Sequence, residues 1–110
     1  MIDWKRIDEL RGEIGPDGFA EVADMFLEEA EQAVQALARG LAADEIAAQL
    51  HFLRGSALSL GLVDLAAVCH DGEHKAASGR SVQIDLEQIA VIYQASRAQL
   101  LGSIATGSAA

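Results

Sequence analysis

The sequence predicts an all-α protein, an antiparallel four-helix bundle with a short additional N-terminal helix. Three observations carry that expectation. With one proline and 5% aromatic residues against abundant Ala, Leu, Glu and Gln, the composition favours helix and gives almost no strand signal. Apolar residues recur every three or four positions along four long segments, the period of a helix that buries one stripe. The links between these segments are only a few residues long, which makes successive helices antiparallel neighbours.

The elements follow in order. Asp3 is placed to cap a first short helix reaching Ile14, with Ile2 and Ile7 at the positions of a hydrophobic staple. Trp4, Ile7 and Leu10 give this helix an apolar edge. Gly15-Pro16 interrupts it, and proline at a first helical position opens a second helix that runs to about Arg39. Phe19, Val22, Phe26, Ala30, Ala33 and Leu37 form its stripe, while Glu21, Asp24, Glu28 and Glu31 lie mostly off it as a solvated face.

Gly40 suits the position after a helix end, and Asp44 is expected to cap a third helix that closes at Gly61. Leu62, Leu65, Ala66, Cys69 and Ala76 mark the apolar side of a fourth, ending near Ser78-Gly79. Asp85 with Gln88 resembles a capping box ahead of a last helix bearing Leu86, Ile89, Tyr93 and Leu100. Residues 1–101 therefore read as one helical bundle, and 102–110, GSIATGSAA, as a frayed C-terminal tail.

At 110 residues and 51% hydrophobic content the chain suits one compact core, with no second domain expected. A formal charge of −9 argues against nucleic acid or an anionic membrane as partner, because both require a basic face. A partner with a positive rim fits better. Cys69, the single cysteine, has no internal disulfide partner, and no basic, then apolar leader pattern opens the chain. No stretch approaches the ~20 apolar residues of a membrane span, so a cytoplasmic location is expected.

The stretch 44–61 carries the candidate site. At about 100° per residue, Ile46, Leu50, Leu53, Ala57 and Leu60 fall within roughly 80° as a buried stripe, and His51 lies about 140° from its centre. His51 should face water. Its neighbours on the helix surface are Ala47 and Ala48 behind and Arg54 and Gly55 ahead. Glycine inside a helix costs about 1 kcal/mol relative to alanine, so Gly55 suggests that something needs the space. Arg54 places a cation suited to phosphate or carboxylate oxygens one turn from the ring. Leu58, one turn beyond Gly55, is apolar where the fold has no use for it, and it is expected to form a docking patch with Leu62.

Other reactive residues carry less. His70 and His74 have metal-compatible i, i+4 spacing, but no third ligand is evident and no metal is expected. Cys69 falls on a buried stripe, where it acts as a small apolar residue. Ser56 and Ser59 have no histidine and acid placed by sequence to activate them.

The run HFLRGSALSLG, followed by LAAVC and then Glu73, resembles the signature of histidine-containing phosphotransfer (HPt) domains. The residues matching that pattern are His51, Leu53, Arg54, Gly55, Ser56, Gly61, Leu65, Ala66 and Glu73, and the likeness extends over about residues 2 to 100. Arg54 stands where lysine is commoner, Leu62 where alanine is usual, and Gly72 where leucine is expected, which would loosen the fourth helix locally.

The resemblance implies a phosphoryl carrier with His51 as phosphoacceptor and Arg54 on the phosphoryl oxygens. Ala47, Ala48, Gly55, Leu58 and Leu62 would then meet the partner. That partner would be a response-regulator receiver domain or a hybrid histidine kinase, with Mg²⁺ supplied by the receiver. No nucleotide-binding loop is found in the sequence, so autophosphorylation from ATP is not expected. A relay module of this kind has no need of a second copy, so a monomer is expected. Three readings compete: a helical adaptor that docks a partner on the same face without phosphorylation, a dimerising phosphotransferase with a four-helix core and, well behind both, a metal-binding bundle using His70 and His74. Loss of His51 would leave the adaptor's binding intact. The dimerising type normally carries a further ATPase-like domain.

Overall fold

The computed structural model of the chain describes residues 2–106, with side chains described through Ser103. Four helices build it: α1 (Trp4–Ala38), α2 (Ala43–Ser59), α3 (Val63–Ala77) and α4 (Leu86–Thr106), with a 3₁₀ turn at Ser81–Gln83. They form the expected bundle, 42 Å long and 22 by 20 Å across.

The short first helix and the long second one are two arms of α1, joined at Gly15 with φ 78° and ψ 164°. Glycine reaches that conformation without steric cost, and Pro16 restarts the helix beyond it. Asp3 caps the first arm by accepting from the Arg6 N–H at 3.2 Å, and both staple residues, Ile2 and Ile7, are buried. Trp4 is exposed.

This arm clamps the end of the α2–α3 hairpin. Asp3 N–H donates to the Gly61 carbonyl at 2.7 Å, Ile2 pairs with Leu62 as an antiparallel bridge, and the Arg6 guanidinium donates to the Ser59 carbonyl at 3.0 Å. Gly61, at φ +71°, has the Asp3 carbonyl oxygen 2.8 Å from where a Cβ would sit. Glycine is required there by both conformation and space.

On the second arm of α1 the stripe differs from expectation at one place. Val22 is exposed, and Ala23 and Leu27 fill the core beside Phe19, Phe26 and Ala30. The cap of α2 is also corrected: it is Ala42, whose N–H donates to the Glu45 carboxylate at 3.3 Å, while Asp44 lies in the first turn. Ala43 is an excellent helix former and extends the helix ahead of Asp44. Asp85 caps α4 as expected, accepting from Gln88 N–H at 2.9 Å.

Gly72 does not loosen α3. It is buried, and a Cβ there would lie 2.7 Å from Leu50 Cδ1, so the missing side chain is what lets α3 approach α2 closely. Gly102 does not begin a tail either: α4 continues to Thr106, and the buried Ser103 hydroxyl accepts from Arg11 at 3.2 Å. Arg11 also lies 4.8 Å over the Phe19 ring, so the first arm of α1 holds the last turns of α4 in place. The remainder of the expected tail, 107–110, lies outside the described residues.

Candidate functional site

His51 sits midway along α2 with its side chain 71% exposed, pointing away from the core of Leu50, Leu53 and Ala57. Leu53 follows it by two residues and Leu50 precedes it by one, so burying those two turns the imidazole outward. The ring is not loose. Its Nδ1 lies 2.7 Å from Glu73 Oε1 on α3, and the other carboxylate oxygen accepts from Arg54 Nε at 2.6 Å. Glu73, only 17% exposed, therefore bridges the histidine and the arginine with one oxygen each.

This geometry selects a tautomer. An ionised carboxylate only accepts hydrogen bonds, so at 2.7 Å from Glu73 the proton belongs on Nδ1. The Arg54 Nη2 atom also lies 3.1 Å from Nδ1. A guanidinium has nothing to accept with, so its approach there follows from the shared attraction to Glu73. With Nδ1 protonated, the lone pair is on Nε2. One guanidinium N–H is committed to Glu73, and Arg54 retains further donors on the His51 side.

Gly55 is exposed, and a Cβ built on it meets nothing within 4 Å. The fold does not demand glycine there. Ala48 is exposed, Ala47 half-buried, and Leu58 is 52% exposed on the same face, as expected from the helical wheel. Leu62 is a correction. It is fully buried, its N–H donating to the Ala57 carbonyl at 2.8 Å, because the bridge to Ile2 draws it inside at the start of α3. Val63 is exposed in its place.

His70 and His74 are both exposed and share an open groove of about 340 Å³ with Ala47, Arg54 and Glu73. Among the described residues no group of three or more His, Cys, Asp or Glu side chains could hold a metal ion. Cys69 is buried beneath the site. Burial, with Glu73 adding to it, pushes its thiol up to about 12, against a lowering by Arg54.

Two residues were not given a role by sequence reasoning. Glu73 entered only as a match to a motif, since its partnership with His51 spans 22 residues and crosses between helices. Phe52 is 37% exposed beside His51; its signal was an aromatic side chain about 120° off the buried stripe of α2.

A helical bundle that holds one imidazole in solvent against a partly buried carboxylate and a guanidinium defines a histidine-presenting scaffold. The family model of the Hpt domain matches residues 21–103, and the chain belongs to the Hpt domain family. Members of that family are phosphocarriers acting in histidine phosphotransfer within phosphorelay signalling, and they are not kinases. The family works with receiver domains and kinases. No curated protein and no solved structure matches the chain. Among the described residues no helix is long and apolar enough to cross a membrane.

Proposed function

We propose that this chain accepts a phosphoryl group on His51 Nε2 from a receiver-domain aspartate and passes it to another. The observation that carries this reading is the Nδ1 to Glu73 contact at 2.7 Å, which leaves the lone pair on Nε2 of a side chain that is 71% exposed. In the forward step Nε2 attacks phosphorus, a nitrogen–phosphorus bond forms, and the bond from phosphorus to the aspartyl oxygen breaks. The aspartate leaves as a carboxylate. The ring, still protonated at Nδ1, becomes positive, and Glu73 is placed to hold that charge.

Transfer of this kind asks chiefly for positioning and for neutralising oxygen charge. Arg54 turns its remaining donors toward the phosphoryl oxygens, while Mg²⁺ and a lysine come with the receiver. Gly55 leaves space for the partner's loop, and Ala48 and Leu58 extend the contact. A monomer in the cytoplasm suffices for this role.

The test is incubation with purified, phosphorylated receiver domains, scored for acid-labile, base-stable phosphate on this chain. Phosphate is expected on the native chain and absent from His51→Gln, with the circular dichroism of the variant unchanged. Phosphate persisting in His51→Gln, or none on the native chain with any donor, overturns the proposal.

A further inference from the structure

The surface on the other flank of His51, toward α1, has no place in the chemistry above. There Gln49 and Phe52 of α2 face Glu29, Gln32, Ala33 and Ala36 of α1 across an open groove of about 420 Å³. The alanines make a shallow floor. Phe52 offers a partly exposed ring, and none of Glu29, Gln32 and Gln49 is engaged by another side chain among the described residues. The groove thus combines an aromatic face, an uncommitted carboxylate and two uncommitted amide groups.

We infer that this groove receives an arginine side chain projecting from the docked partner, which makes Phe52 and Glu29 determinants of partner choice. The inference rests on the phosphotransfer reading for the partner's placement at His51. A guanidinium matches each feature: it stacks on an aromatic face, pairs with a carboxylate, and has N–H donors left over for amide oxygens. A neutral side chain would leave the Glu29 carboxylate desolvated without a counter-charge. Residues 8–31 hold nine of the chain's 17 Asp and Glu residues and, of its eight Lys and Arg, only Arg11. The field over α1 therefore draws in a basic rim and resists an acidic one. Reach is adequate, since a standard interface buries about 800 Å² per partner and Phe52 adjoins His51 in the chain.

Two readouts separate this inference from the phosphotransfer reading. In the first, the 110-residue chain is titrated with the peptide N-acetyl-Gly-Arg-Gly-amide and followed by NMR, with the uncharged citrulline analogue as comparison. Saturable shifts confined to the Phe52 ring and the Gln32 and Gln49 side-chain amides, weaker with citrulline and lost in Phe52→Ala and Glu29→Gln, are expected. No localised shift, equal response to citrulline, or shifts that survive both variants overturn the inference whatever His51 does.

In the second, with a receiver that phosphorylates His51, Phe52→Ala should raise the half-saturating receiver concentration roughly five- to tenfold and leave the maximal rate unchanged. An unchanged half-saturation overturns the inference while the phosphotransfer reading stands. Failure of every receiver to phosphorylate His51 sinks that reading, and the peptide titration still decides the groove.

Discussion

The same substitution, glycine to alanine, is expected to act with opposite sign at Gly55 and Gly72. At Gly55 an added Cβ meets nothing within 4 Å, so only the backbone matters. Alanine is the better helix former by about 1 kcal/mol. For a domain of this size that corresponds to a rise in Tm of roughly 4–8 °C. At Gly72 the same gain is opposed by a contact of 2.7 Å with Leu50 Cδ1, with Ile84 Cγ2 at 3.5 Å and Ile89 Cδ1 at 3.8 Å closing the other sides.

Leu50 Cδ1 is the end of a flexible side chain, but that side chain is fully buried. Overpacking of this kind costs about 1–3 kcal/mol, which outweighs the propensity gain and leaves a net loss of up to about 2 kcal/mol. Thermal and urea unfolding followed by circular dichroism measure both variants. If Gly72→Ala is stabilised as much as Gly55→Ala, the close approach of α3 to α2 at that position is refuted.

Further outcomes follow from the site. Arg54→Ala should slow phosphoryl transfer more than it weakens receiver docking, read by rapid-quench kinetics beside titration; unchanged transfer kinetics would remove Arg54 from the chemistry. Glu73→Gln should slow transfer at least about tenfold, as expected when an imidazole loses the carboxylate that fixes its tautomer, and the ring ¹⁵N shifts of His51 should show Nδ1–H no longer preferred. Gly55→Leu should block receiver binding by clash while leaving the fold stable, and normal affinity by titration would contradict the clearing. Burial raises the Cys69 thiol from 9.0 to about 12 and the Tyr93 hydroxyl from 10.0 to about 12. Groups whose folded pKa is raised support the fold below their unfolded pKa and lose that support as pH climbs, so Tm should fall from about pH 9 toward 12, and a flat profile would contradict it.

What the sequence made legible was what a single helix encodes. The 3.6-residue period located every long helix, and on α2 it placed His51, Gly55 and Leu58 outward, because those positions depend only on which residues the same helix buries. What it missed came from contacts between distant segments. Glu73 meets His51 across 22 residues, Arg11 meets Ser103 across 92, and the bridge from Ile2 pulls Leu62 inward. Composition made 102–106 look like a tail, whereas Arg11 and the core decide that α4 continues. Gly72 looked like a flaw in α3 because its reason, Leu50, is on another helix.

The two flanks of His51 differ in kind, and that difference is itself testable. Toward α3, Glu73 and Arg54 contact the ring and each other, so their removal changes the reacting group even when a partner is already bound. Toward α1, Phe52 and Glu29 line a groove that His51 does not line, so their removal changes only how tightly a partner settles. Variants of the first flank should lower the rate at saturating receiver, and variants of the second should shift the concentration needed for saturation. Because no hydrogen bond or ion pair among the described residues joins Phe52 or Glu29 to Glu73 or Arg54, the effects of Glu73→Gln and Phe52→Ala should add in free energy. A strong departure from additivity in the double variant would mean that recognition and chemistry are coupled through the ring, and the division between the two flanks would fall.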